Sequence, residues 1–247
     1  GTLYYPGDEW AMRYAVRDVE EANRLLDGIV LEDGGTIAER DGKENRLRPD
    51  GNGWLEVQFQ VLEGYSVDFL PLVEQVVKKN WKEIGIVVTS ETSRTAHKKV
   101  ESNEGYLFIW ESDAGWSPWV GTVWVAPVSS NFRSAVEVGR YMETQGKAGE
   151  PPDKVTYKSE FPFKRLLEIV EEGRGYPADS DRRIELGKEL FKIITDEVIQ
   201  IGTVAGVSPI NGVRVIKRDL LNVPQNVAGG EVFGSAGPRP ELYFFNR

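Results

Sequence analysis

The 247-residue sequence contains no cysteine and a single histidine, His97. The first absence removes disulfides, thiolate metal sites and thiol nucleophiles together, and it leaves the redox compartment open. The second means that a histidine-based triad would have to use His97, and it excludes a zinc site built on two histidines. Lysines flank His97 in TAHKKV, with no acid placed to orient the ring, so a solvated helix residue is the reading there and not a general base. No apolar run approaches the roughly 18–20 residues that span a bilayer. Positive charge is in deficit, with 30 basic against 39 acidic residues and a net charge of -9. An acidic surface repels phosphate, which argues against nucleic acid as a partner. No basic amphipathic segment points to a membrane surface. The chain opens GTLYYPGDEW, without Met or a signal-like apolar stretch, so a removed leader or a piece of a longer protein is expected.

What is present is an ordinary globular composition, with 40% hydrophobic and 28% charged residues. RDVEEANRLLDGIV, Arg17 to Val30, predicts a helix with Asp18 as N-cap and Ala22, Leu25, Leu26 and Ile29 on its apolar face. The Gly-, Asp- and Asn-rich run from Glu32 to Gly53 reads as a loop or irregular hairpin. Asp33, Asp41, Glu44 and Asn45 within it miss the alternating spacing of a calcium loop. WLEVQFQVL, Trp54 to Leu62, alternates as a half-buried strand. A helix capped by Ser66 follows, with Leu72, Val73, Val76, Val77, Asn80 and Ile84 as its inner stripe and Gly85 as its end. IGIVVTSE, Ile84 to Glu91, then reads as a strand. Strand, helix and strand with short links form a βαβ unit and predict a partly parallel sheet.

Further along, 92–103 is weakly helical, Tyr106 to Trp110 is a third strand and Glu137 to Met142 a helix. Gly146 to Lys154 is a loop. Phe161 to Glu172 and Arg182 to Gln200 read as helices, the second capped near Ser180. Leu166, Leu167 and Val170 are inner residues of the first, and Ile184, Leu190, Phe191, Ile194 and Val198 of the second. Ile201 to Val207 and Gly212 to Lys217 read as strands. There is no phosphate-loop pattern, and with so many acids a chance carboxylate pair carries no catalytic signal.

One stretch rises above this background. GYLFIWESDAGWSPWVGTVWVAP, Gly105 to Pro127, holds Trp110, Trp116, Trp119 and Trp124 around the single aspartate Asp113. Trp110 and Trp124 lie in strand-like runs, where a core role is at least as natural. Trp116 and Trp119 flank a Ser-Pro turn, and aromatics on a loop suit stacking on sugar rings or ligand side chains. Asp113 suits an ammonium group or hydroxyls.

The order of these segments resembles the C-terminal half of the extracellular solute-binding proteins, family 5, of ABC transporters, the oligopeptide/dipeptide/nickel type. The resemblance rests on RDVEEANRLLDGI, LVEQVVKKNWKEIGIVVTSE, GYLFIWESDAGWSP and IGTVAGVSPINGVRVIKRDLLNVP in that order, over nearly the whole chain. It implies an α/β, type II periplasmic-binding-protein-like lobe with a mixed sheet flanked by helices. Residues 1–200 would be the ligand-binding lobe and 201–247 the return toward the hinge and the first lobe. It implies no enzyme activity and no cofactor. The expected location is periplasmic or extracellular, with a lipid anchor in some full-length members. The expected partners are a small peptide or oligosaccharide, the permease subunits and the missing N-terminal lobe. By motif, Asp113 would pair with a peptide's amino group beside Trp110. Ala114-Gly115-Trp116 departs from the family's usual Tyr and acids at that point, which counts against peptide specificity, and GKAGEPPDK and RPELYFF resemble a subgroup that includes oligosaccharide binders. From another class, a glycoside hydrolase stays open as the rival.

Overall fold

The computed structural model describes residues 3–31, 33–64, 70–104, 107–109, 117–156 and 158–202, with the short pairs 220–221 and 244–245. The chain divides into two compact units. One takes Gly7–Trp110 and Pro127–Val155, the other Gly1–Pro6, Glu111–Ala126 and Thr156–Arg247.

The first unit is built on a parallel sheet. It opens with a single turn, α1 (Asp8–Ala11), and then α2 (Val19–Asp27). The Asp18 carboxylate caps α2 by accepting from the Glu21 N–H at 2.8 Å, as its position predicts. Strand β1 (Glu56–Leu62) follows a loop of isolated bridges. The next helical run is α3 (Leu70–Leu72), a π-turn (Val73–Val77) and α4 (Lys78–Lys82). It leads into β2 (Val87–Ser93), then α5 (Ala96–Glu101), β3 (Leu107–Phe108) and α6 (Val136–Glu143).

Strand β1 pairs in parallel with both β2 and β3, so the order is β2-β1-β3. The two crossover helices lie on opposite faces. Val73, Val77 and Trp81 pack on Phe59 and Val88, with Leu107 and Ile109 beside them. On the other face, Lys99 of α5 donates to Glu91, and the Gln60 amide donates to Glu91 at 3.3 Å.

The structure departs from the sequence reading at α2, where Leu25 and Ile29 of the expected apolar face are exposed, in the helical run after β1 and in β1 itself. Val76 and Asn80, placed on the inner stripe, are exposed. A π-turn bonds i to i+5 and takes an extra residue per turn. Val73, Val77 and Trp81, four apart, therefore share the buried face while Val76 swings outward. Gln60, placed on the solvent face of a half-buried strand, is 1% exposed. Alternation reports which way side chains point, but not that β1 is central and that α5 lies over its second face.

Arg46 is fully buried and cross-links this unit. Its guanidinium donates to the Asp27 carboxylate at 2.7 Å, the Ile37 carbonyl at 2.9 Å, the Ile84 carbonyl at 2.8 Å and the Asn23 side chain at 3.0 Å. Gly85 makes room for it. At φ +81 it takes a left-handed turn, and a Cβ there would lie 2.8 Å from Arg46 Cγ.

The second unit centres on the helix pair α7 (Pro162–Arg174) and α8 (Asp181–Asp196). Pro162 begins α7, where its missing N–H costs nothing. Ser180 caps α8 through the Arg183 N–H. Leu166, Ile169, Leu186 and Leu190 are fully buried between the two helices. Leu186 and Gly187 join the α8 core, whereas Val198, expected inside, is exposed. The helix stops at Asp196 and Val198 has φ 54, which takes its side chain off the stripe. A separate antiparallel pair joins β4 (Leu220–Leu221) to β5 (Phe244–Phe245). The strands expected at Ile201 to Val207 and Gly212 to Lys217 lie mostly or wholly outside the described residues. The Ser66 cap lies outside them too.

Candidate functional site

The topology of the sheet selects one edge. From β1 the chain crosses to β2 on one side, and from β2 it crosses back over β1 to β3 on the other. In open parallel sheets such a reversal leaves a crevice at the carboxyl ends of the two strands where it occurs, and ligands bind there. Here those strands are β1 and β3. Leu62, Glu63 and Gly64 leave the end of β1, and Ile109 leaves the end of β3, its N–H reaching the Gln60 carbonyl at 3.5 Å. Ile109 is the last described residue before Trp110 in the chain. The tryptophans single out the segment after β3 in the sequence, whereas nothing local singles out the turn after β1, because strand order is not written in local pattern.

The polar face of the sheet next to this edge is a connected network. The Gln60 side-chain amide donates to Gln58 Oε1 at 2.7 Å as well as to Glu91. The hydrogen bond from Lys99, and then that from Gln60, holds the Glu91 carboxyl below the usual glutamate range. Arg133 lies 4.8 Å over the Phe108 ring and donates to Glu101 at 2.9 Å. His97 is half-buried rather than solvated, and its Nδ1 has no hydrogen-bond partner among the described residues.

Of the expected site residues, Trp110, Asp113 and Trp116 lie outside the described residues. Trp119 and Trp124 are described, and both are half-buried. Trp124 ends a short 3-10 turn, Thr122–Trp124, and its carbonyl accepts from the Gln200 amide at 2.8 Å. The Trp119 indole N–H donates to the Val170 carbonyl of α7 at 3.0 Å. Its ring meets Tyr4 edge-on at 5.4 Å, and the Arg183 guanidinium lies 4.6 Å from its centroid.

The acidic loop before β1 is committed to its own turns. Asp33 accepts from the Gly35 N–H at 2.9 Å. Asp41 accepts from the N–H groups of Lys43 and Asn45, from the Asn45 amide and from the Trp54 indole, all between 2.8 and 3.0 Å. The Asn45 side-chain bond and then the backbone donors lower the Asp41 carboxyl to about 2. Among the described residues no group of three or more His, Asp or Glu is placed to hold a metal ion. Among them, no helix is long and apolar enough to cross a membrane.

No protein-family model and no curated protein matches the chain. Solved structures do. The periplasmic binding protein MelB of Agrobacterium fabrum, in complex with stachyose, matches 75% of this chain at 17% identity with a TM-score of 0.50. A mannohexaose-bound periplasmic oligopeptide-binding protein of an ABC transporter from Thermotoga maritima matches 80% of it at 16% identity, with a TM-score of 0.49. NikA of Brucella suis, in complex with Fe(III)-EDTA, matches 78% at 15% identity, with a TM-score of 0.46. The chain spans about a quarter of the length of MelB and about a third of the Thermotoga protein, 25% and 32% respectively. The likeness to MelB establishes the fold: an α/β, periplasmic-binding-protein-like architecture with a small parallel sheet flanked by helices.

Proposed function

We propose that the chain is one lobe of a family 5 solute-binding protein that captures an oligopeptide between two lobes and hands it to the permease of an ABC importer. Residues 1–200 form the C-terminal ligand-binding lobe, and 201–247 return toward the hinge. The whole protein works in the periplasm or outside the cell, in some forms held by a lipid anchor, and performs no chemistry. The observation that carries this reading is the strand order β2-β1-β3, whose reversal leaves a crevice at the carboxyl ends of β1 and β3, the kind of place where open parallel sheets meet a ligand. Contacts from both lobes favour the closed state, so the ligand acts by its differential affinity for that state.

Asp113 pairs with the peptide amino group, and Trp110 and Trp116 line its side chains. An oligosaccharide is the second reading. The Ala114-Gly115-Trp116 departure favours it, as does the fold shared with a stachyose-bound protein.

A thermal-shift screen of the full-length protein against di- to pentapeptides, stachyose and β-linked oligosaccharides tests the proposal. A ligand at 100 times its Kd stabilises the native state by about 2.7 kcal/mol. For a peptide, Asp113→Asn lowers affinity for the free amine and spares the N-acetylated form. For a sugar, Trp116→Ala removes binding and Asp113→Asn does little. Turnover of a chromogenic glycoside, with no ligand raising the melting temperature, would replace the reading with a hydrolase.

A further inference from the structure

Trp119 occupies a notch shaped to its ring. Beneath it lies Gly173 of α7, where a Cβ would come within 2.1 Å of Cζ2 and 2.2 Å of Cε2. The Arg183 guanidinium of α8 covers it 4.6 Å from the centroid. The Nε of Arg183 is buried with no hydrogen-bond acceptor among the described residues, and the indole π-cloud offsets that loss. Tyr4 closes the edge at an interplanar angle of 63°. Tyr4 is itself seated on a glycine, since a Cβ at Gly187 would come 2.5 Å from its Cδ1, and its hydroxyl donates to the Ala178 carbonyl at 3.3 Å. Glycine inside a helix costs about 1 kcal/mol relative to alanine. Two helices each carry one, and each lies under a ring. The preceding Pro118 is fully buried as well.

We propose that Trp119 is a positioning residue: it clips the aromatic stretch onto the α7–α8 pair, and its ring is not a stacking platform for ligand. The clip holds Pro118 and Trp119 against the helix pair and takes the Trp119 ring out of the set of ligand contacts. This deepens the solute-binding reading and rests on it for the ligand. The notch itself can be tested without one.

The test uses indole N–H signals in 15N NMR spectra of this chain, which has seven tryptophans. Trp119→Phe identifies the Trp119 signal by its loss. The expected result is indole hydrogen exchange at least about tenfold slower for Trp119 in the folded chain than in the same chain unfolded in urea, with Gly173→Ala abolishing the protection. Titrating the full-length protein with stachyose, and separately with trialanine, should move another indole signal and leave that of Trp119 in place. Trp119→Phe, which still fills the notch, should keep probe affinity within about threefold, whereas Gly173→Ala should lower it about tenfold. Fast exchange at Trp119 in the wild type, or a Trp119 signal that moves most on titration, overturns the proposal. If no signal moves with either probe, the exchange data still decide the clip, and the ligand reading takes the failure. If Gly173→Ala does not fold, Trp119→Phe and the wild-type exchange rates decide it.

Discussion

At the scale of single residues, the strongest commitments sit away from the stretch Gly105 to Pro127. Asp41 has a folded-state pKa of about 2 against an ordinary value of 3.8, held down by the Asn45 side chain first and then by backbone donors. The sign follows from linkage. A depressed carboxyl contributes stability that is complete above about pH 3.8 and lost as pH falls toward 2. A carboxyl-detected NMR titration of Asp41 should therefore show a midpoint near 2, and a midpoint near 3.8 would contradict the four-donor geometry. Arg46 is the costlier residue to change. Arg46→Met would leave the Ile37 and Ile84 carbonyls without their side-chain donor, in a site with no solvent access to the guanidinium, while the Asn23 amide oxygen would keep Arg40. Leaving buried carbonyls unpaired in this way costs about 3 kcal/mol. Urea denaturation should show it as a lower midpoint at unchanged slope.

At the scale of elements, helix caps and strand periodicity were legible. Asp18 and Ser180 cap the helices that their positions predict, and the βαβ order is parallel as expected. What was not legible depends on partners distant in sequence. Gln60 is buried because α5 lies over it, and the helix after β1 carries a π-turn that no 3.6-residue stripe anticipates. The π-turn gives a discriminating pair of substitutions. Val76→Glu should change stability by less than about 0.5 kcal/mol, since Val76 is exposed. Val73→Ala should cost about 2 kcal/mol, from two buried methyl groups and the cavity they leave. A helix with an uninterrupted α-pattern would make both substitutions costly. Of the site, the sequence shows the tryptophan-rich segment but not the notch that holds Trp119, because Gly173 and Gly187 read locally only as weak points in two helices.

At the scale of the whole molecule, one unit draws on three separate stretches of chain, Gly1–Pro6, Glu111–Ala126 and Thr156–Arg247. Composition offers no boundary for such a unit, because it is defined by contact and not by adjacency. Under the proposed function, affinity is a property of two lobes. A chain that supplies one of them gains only its own contacts and still loses translational and rotational freedom on binding. Calorimetry of this chain alone with peptides or oligosaccharides should show no saturable binding tighter than about 100 μM. Micromolar affinity would mean that this segment carries the whole site.

The buried guanidinium of Arg46 also has a kinetic consequence. It joins α2, the loop at Ile37 and the Gly85 turn, partners separated from it by up to 38 positions. Such a group gains its partners only after every segment has arrived, so its bonds belong to the descending side of the folding barrier. Removing it should leave the refolding rate nearly unchanged and place almost the entire loss of stability in faster unfolding. In stopped-flow chevrons of Arg46→Met, the unfolding arm should rise while the refolding arm overlays that of the wild type. Arg46 would then act as a latch, setting how long the native state lasts more than how quickly it forms.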